Sequence, residues 1–255
     1  ANFKKTPIKP WRVKSWVIPE ASADFVCAME AVLDVYERAY DPDYPVVNLD
    51  ESPKQLISEV RQRFVDSQGV VHQDYEYARE GVADIYMIVE ALRGRREVLV
   101  EDDHSSQTYA KVVAHIAEQM YPDAKTITRV EDNLSAHKLS ALYEIYDAPR
   151  ARQIIKRIEI IRTPKHGSWL NIAEAELSIL IRHGLKKRTP DKESLRQDAK
   201  AWYESRNEKQ RKVNWQFRTK DARIKLKQLY PTFNSLPITS CGLSQLVIGN
   251  EFIIA

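Results

Sequence analysis

The sequence is poor in cysteine and glycine, and each shortage excludes something. Its 2 cysteines, Cys27 and Cys241, form no C-x-x-C pair and no Cys/His spacing of the kind a zinc site needs. That rules out a thiolate metal centre and a disulfide-stapled scaffold, and it fits a reducing compartment. Only 7 of 255 residues are glycine and no unit repeats, so low-complexity and repeat architectures are excluded as well. No apolar run approaches the ~20 residues of a membrane helix. The opening ANFKKTPIKPWRVK lacks the pattern of a secretory signal. The expectation is a cytoplasmic chain with no membrane partner.

What is present supports a sizeable core: 43% of the residues are hydrophobic, enough for one large domain or one domain with appendages. The net charge of +3 conceals an asymmetry, because residues 182–227 hold 16 Lys/Arg against 6 Asp/Glu and the rest of the chain carries −7. A basic block beside an acidic remainder fits a polyanion held near a site that gathers cations. The plain alternative is a solvated helical surface.

Residues 1–20 are basic and aromatic but interrupted by Pro7, Pro10 and Pro19, which predicts a linker or arm suited to a phosphate backbone. Residues 21–38 place Phe25, Met29, Val32, Leu33 and Tyr36 at helical spacing. Residues 45–52 (PVVNLDES) predict a buried strand ending in acids, followed by a helix over 53–63 and a loop over 64–69. Strands are expected over 80–91 and 95–101, joined by a tight turn, then a Ser-capped helix over 105–120. A strand over 126–133 again ends in an acid. A helix over 135–146, a strand over 157–163 and an acid-bearing helix up to Leu185 complete the series. Residues 186–233 read as a basic helical extension and 234–255 as an almost uncharged tail. Three strands in a meander and later strands separated by helices predict an α/β fold with a mixed sheet.

Three acids occupy special places: Asp50 and Asp132 at strand ends, and Glu174 or Glu176 on the helix after the KHGSW turn. Clustered carboxylates repel, so they need divalent cations, and all-oxygen donors suit Mg²⁺ or Mn²⁺. Two such ions can activate a water or a 3′-hydroxyl in phosphodiester cleavage. Taken singly, each acid also reads as a surface or capping group, with Glu174 favoured by the helix dipole.

Three blocks then coincide: Asn48-Leu49-Asp50-Glu51-Ser52, residues 130–138 (VEDNLSAHK), and residues 163–174 (TPKHGSWLNIAE). In these blocks the chain resembles the DDE-superfamily transposases of bacterial insertion sequences, relatives of mariner elements, from about Lys9 to Phe233. The resemblance implies a ribonuclease H-like fold with a mixed five-stranded sheet flanked by helices. It implies a core over 21–185, preceded by the trailing end of a helix-turn-helix DNA-binding region. It also implies a metal-dependent enzyme that cuts transposon ends and joins them to target DNA. Asp50, Asp132 and Glu174 would be the catalytic and metal-holding residues, with Mg²⁺ or Mn²⁺, two ions in all. The Asn-x-x-Glu pattern singles out Glu174 over Glu176. Lys165 of the motif, and Arg182, Lys186, Lys187, Arg188, Arg211 and Lys212 of the basic block, are the expected contacts to double-stranded DNA. Trp202 and Trp215 either stack on bases or pack under the basic helices. A homodimer and a bacterial, nucleoid-associated location follow from the same resemblance.

The chain departs from the family pattern in four places. Glu131 stands where an apolar residue is usual, and its extra charge either perturbs metal binding or faces away. EDDHSS (101–106) is acidic where relatives are basic, the recognition region is incomplete, and the tail has no counterpart. These favour a second reading, an inactive truncated remnant that binds DNA. His137 and His166 match motif positions but suit packing equally.

Overall fold

A computed structural model describes residues 22–72 and 74–231. The expected arm over 1–20 and tail over 234–255 lie outside them. The first helix, α1 (Ala23–Tyr36), starts at Ser22, whose side chain accepts from the Phe25 amide, and buries Phe25, Met29, Val32, Leu33 and Val35. Two 14-residue strands follow, β1 (Val46–Glu59) and β4 (Tyr77–Glu90), with a small hairpin between them, β2 (Phe64–Val65) and β3 (Val71–His72). After β5 (Arg95–Glu101) come α2 (Ser106–His115), β6 (Ile127–Glu131), α3 (Leu142–Ile145), α4 (Ala148–Lys156) and β7 (Ile158–Arg162). The chain then forms α5 (Ile172–Ile179), α6 (Lys192–Glu208) and α7 (Thr219–Lys225).

The five long strands make one sheet in the order β5-β4-β1-β6-β7. The β5-β4-β1 side is antiparallel, whereas β1-β6 and β6-β7 are parallel. This is the mixed five-stranded sheet flanked by helices that the sequence predicts. Strand alternation sorts the core. Tyr86 and Ile88 of β4, with Val47 and Leu49 of β1, pack under α2, α3 and α4. Ile85, Met87 and Val89 point the other way, beneath α5 and α6. On that second face α1 and α7 enclose Val130 and Leu170.

Three local expectations fail. Residues 53–59 are strand, not helix, because β1 pairs with β4 as far as Glu59↔Tyr77, and a long register outweighs a weak helical pattern. Pro53 is tolerated there since β1 pairs with β6 only from Val46 to Asn48 and is an edge strand beyond. Within 64–72 the expected loop is a hairpin whose turn is held by Asp66 Oδ1, which accepts from the amides of Gln68 and Val70. The helix expected over 135–146 shrinks to a 3₁₀ turn (Leu139–Ala141) and α3, because residues 132–138 form a loop around Asp132. Helix α4 has no counterpart among the expected elements, although Asp147 caps it and Pro149 sits in its first turn.

The basic extension belongs to this packing. Helix α6 contributes Leu195 and Ala199 to the core against β5, and Asn207 exchanges two 2.8 Å bonds with the backbone of Arg96. Trp202 and Trp215 are partly buried there, so packing rather than exposed stacking describes both.

Candidate active site

The parallel pairing of β1 and β6 sets the first two acids. Asn48 lies opposite Val130, and Asp50 and Asp132 each stand two residues farther along, so they leave the sheet at the same level on the same face. Glu174, on the first turn of α5, comes to Asp50. Asp50, Glu51 and Glu174 share the walls of an open groove of about 270 Å³ with Ser52, Leu177 and Arg182.

The Asp50 carboxyl senses the other two. Burial, then the charge of Glu51, pushes the Asp50 carboxyl up to about 7, and Asp132 and Glu174 add to the rise. A bond from the Glu51 amide, 3.0 Å to Asp50 Oδ1, opposes it. Asp132 goes the other way, held below the usual carboxylate range chiefly by His137 and by the Leu134 amide at 2.9 Å.

The N-terminus of α5 is tied to β1. Asn171 caps the helix, its Oδ1 accepting from the Ala173 amide at 3.1 Å, while its Nδ2 donates to the Leu49 carbonyl at 2.9 Å. Asn48 Nδ2 donates to the Tyr36 hydroxyl at 2.5 Å, and that hydroxyl donates to the Leu170 carbonyl at 2.7 Å. Before the helix, Gly167 permits the tight KHGSW turn: a Cβ there would lie 2.5 Å from Pro164 Cγ.

Residue parity separates the neighbouring acids. Glu131, one residue before Asp132, faces α2 and is fully buried between Arg129, whose guanidinium is 2.7 Å away, and the Tyr109 hydroxyl at 3.1 Å. It is a neutralised core acid on the opposite face. Glu176 is equally enclosed: Arg96 grips it with two bonds of 2.8 and 2.7 Å, and Arg206 adds one at 3.1 Å. That leaves Glu174 as the acid of α5 that reaches the groove.

His137, for which the motif allows either a site or a packing role, is a buried part of the site's edge. Its Nε2 is 3.2 Å from Glu51 Oε2 and its Nδ1 is 3.0 Å from Asp132 Oδ1, while its ring stacks 4.6 Å over Tyr109. Burial opposes its charge, but the two carboxylates outweigh that and raise it to about 9. Glu51, Asp132 and His137 lie close enough to suggest a metal site of their own. The ring presents different nitrogens to the two acids, however, so these contacts describe an imidazolium clamped between carboxylates. Arg162 of β7 steadies this loop through the carbonyls of Asp132 (3.2 Å) and His137 (2.9 Å).

The expected DNA contacts divide. Lys165, Lys186, Lys187, Arg211 and Lys212 are exposed, and Arg182 lines the groove beside Glu174. Arg188 is engaged elsewhere. It bonds Glu59 at 2.8 Å and the Glu76 carbonyl at 3.0 Å, and stacks on Tyr77, stapling the extension to β1 and β4.

With this geometry in view, residues 45–196 match the family model described as DDE superfamily endonuclease, a span that includes all three acids. The chain belongs to the DDE superfamily endonucleases. Among solved structures, this DDE chain is similar to the Mos1 mariner paired end complex with Mn, at 17% identity and TM-score 0.51, covering 78% of this chain and 61% of that one. It is also similar to the Mos1 strand transfer complex (14% identity, TM-score 0.51, 79% and 60% covered). The mariner Mos1 paired end complex with Mg gives 15% identity and TM-score 0.50, with 87% and 67% covered. At these identities the likeness is one of fold, the ribonuclease H-like one. The chain spans about 61% of the Mos1 chain in the first of these structures. No curated protein sequence matches it. Among the described residues, no helix is long and apolar enough to cross a membrane.

Proposed function

We propose that this DDE chain is the catalytic domain of a DNA transposase, with Asp50, Asp132 and Glu174 as its catalytic acids. The observation that carries the reading is the pairing of Asp50 and Glu174, from separate elements, on one groove, with Asp50 destabilised as an anion by burial and by the charges of Glu51, Asp132 and Glu174. A divalent cation relieves that destabilisation, and an all-oxygen donor set fits Mg²⁺ or Mn²⁺. When bound, two such ions supply a Lewis-acid clamp for the attacking and leaving oxygens of a phosphodiester exchange.

The chain's own residues do the rest. The Leu134 amide and His137 keep Asp132 ionised, and Asn171 orients the helix that carries Glu174. Arg182 lies at the groove wall, where a backbone phosphate would be held beside the acids. The exposed Lys165, Lys186, Lys187, Arg211 and Lys212 extend a sequence-independent contact to duplex DNA. Transposon ends and target DNA are the substrates, and a homodimer pairs the two ends. A bacterial, nucleoid-associated setting completes the reading.

The test is plasmid nicking in Mg²⁺ or Mn²⁺ alongside a DNA mobility shift. Asp132→Asn is expected to abolish cleavage and leave DNA binding within about twofold, since base-independent affinity comes from Lys and Arg contacts. Wild-type cleavage by that variant would overturn the assignment. The alternative, an inactive DNA-binding remnant, loses one support because Glu131 is neutralised on the far face of the sheet. Calorimetry with Mn²⁺ separates the two readings: a remnant takes up no metal at the acids.

A further inference from the structure

We propose that Asn171 is a positioning residue that fixes the distance from Glu174 to Asp50, with Asn48 and Tyr36 as its support, and that it thereby sets the affinity of the acids for a divalent cation. The inference rests on the metal-site reading above and adds residues that never touch the metal.

Glu174 is an exposed side chain on the first turn of a helix of 8 residues. Among the described residues nothing bonds it in place against Asp50, so its place depends on where that helix begins. The start is fixed by one side chain with two jobs. Asn171 Oδ1 closes the helix end on the Ala173 amide, and Nδ2 holds the Leu49 carbonyl, the peptide that joins Leu49 to Asp50. One amide group therefore binds the turn carrying the third acid to the peptide carrying the first. Asn171 is 1% exposed, so water does not compete for either bond.

Behind it stands a second strut. Asn48, fully buried, donates to the Tyr36 hydroxyl, which donates in turn to Leu170, the residue before Asn171. Asn48 also lies 3.5 Å from Asn171 Oδ1, a long contact. Both struts tie β1 to the same turn, one through Asn48 and one through the neighbouring Leu49 carbonyl. Helix capping alone would need only the oxygen of Asn171. A buried amide nitrogen aimed at a strand carbonyl is what positioning requires and capping does not.

Serine separates the two jobs. It caps a helix about as well as asparagine but is too short and has the wrong group to reach the Leu49 carbonyl. The experiment is Mn²⁺ binding to the full chain by titration calorimetry, with bound ions counted by electron paramagnetic resonance. Asn171→Ser is expected to lower Mn²⁺ affinity by roughly tenfold, the usual effect of losing a group that orients a ligand, with the number of ions at saturation unchanged. Its melting temperature should stay within about 2–4 °C of wild type. Glu176→Gln, on the same helix but outside this link, should lower the melting temperature and leave Mn²⁺ affinity within about twofold, since ligand orientation is untouched.

Should Asn171→Ser fail to fold, Tyr36→Phe removes the second strut alone and should weaken Mn²⁺ binding in the same direction. Unchanged affinity in whichever variant folds overturns the inference, as does an equal loss in Glu176→Gln. A wild-type chain that takes up no Mn²⁺ overturns the metal-site reading and this inference with it. Binding that Glu174→Gln weakens and Asn171→Ser does not overturns this inference alone.

Discussion

If Asp50 is held as a desolvated acid among acids, removing its charge should stabilise the metal-free protein. The carboxyl rises from 3.8 to about 7, first through burial and then through Glu51, with Asp132 and Glu174 contributing. At ~1.4 kcal/mol per unit, the ionised form is disfavoured by up to ~4 kcal/mol, and the side chain's residual exposure brings this to ~2–4 kcal/mol. The sign follows from proton uptake. Between pH 4 and 7 the folded state keeps a proton that the unfolded chain has released, so stability falls as pH rises through that window. Above pH 7 the full penalty is present; below pH 4 it is absent.

Asp50→Asn should therefore be more stable than wild type at pH 8 in chelator, with a melting temperature higher by roughly 5–15 °C. At pH 4 the two should agree to within about 1 kcal/mol, because the wild-type carboxyl is then protonated in the folded state as well. Mn²⁺ at pH 8 should raise the melting temperature of wild type and leave Asp50→Asn almost unmoved, since a ligand stabilises only the form that binds it. The assay is thermal unfolding followed by circular dichroism across this pH range, with and without metal. A variant less stable than wild type at pH 8, or a difference independent of pH, would refute the reasoning.

Other outcomes follow from the same geometry. Glu176→Ala leaves Arg96 buried without its partner and should cost roughly 3–5 kcal/mol in chemical denaturation, while Arg96→Met with Glu176→Leu should recover much of that stability. Replacing Lys186 and Lys187 by alanine should flatten the salt dependence of DNA binding by about one unit of slope for each of the two lysines that sits on a phosphate, measured by fluorescence anisotropy. Arg188→Ala should instead lower the melting temperature with little change in that slope, since its guanidinium is bound to Glu59 and stacked on Tyr77. Gly94→Ala should destabilise by roughly 1–3 kcal/mol in the same denaturation assay, because φ is +74° there and a Cβ would stand 3.0 Å from the Gln210 backbone.

The parts of the fold that are legible in the sequence are those where periodicity and end signals agree. Helix α1 has helical apolar spacing and a Ser cap, and β5 alternates buried and half-buried residues along RREVLVE. The distal half of β1 is not legible, because KQLISE carries no pattern that distinguishes strand from helix and its conformation is imposed by 14-residue β4. The loop after Asp132 misleads for a related reason. SAHKLSALYEIY has good helix formers, but an Asx turn on Leu134 and the pull of two carboxylates on His137 hold its first half open. Of the proposed site, the positions assigned to Asp50, Asp132 and Glu174 rest on motif order. The clamp formed by His137 is not legible in this way, since it depends on Glu51, a residue 86 positions away.

Glu131 shows why adjacency in sequence is a poor guide to electrostatics in a strand. As the neighbour of Asp132 it has the position of an acid that could disturb metal binding. Because successive side chains leave a strand on opposite faces, Glu131 shares its face with Arg129 and Tyr109 beneath α2, while Asp132 follows on the side of Val130. The same parity acts in β1, where Glu51 leaves on the side of Leu49 and meets His137, and Asp50 leaves on the side of Asn48. Strand β1 thus sets both Asp50 and Glu51 at the groove, whereas β6 commits Glu131 to a compensated network on the other face and leaves Asp132 at the end of the strand. His137 spans them, facing Glu51 with one nitrogen and Asp132 with the other. A charge change at Glu51 therefore reaches Asp132 through that ring, whereas Glu131 spends its charge on Arg129. Glu51→Gln should accordingly loosen Asp132 more than Glu131→Gln does, although Glu131 is its sequence neighbour. Relative Mn²⁺ affinities of the two variants measure this ordering, and an equal or reversed effect would contradict it.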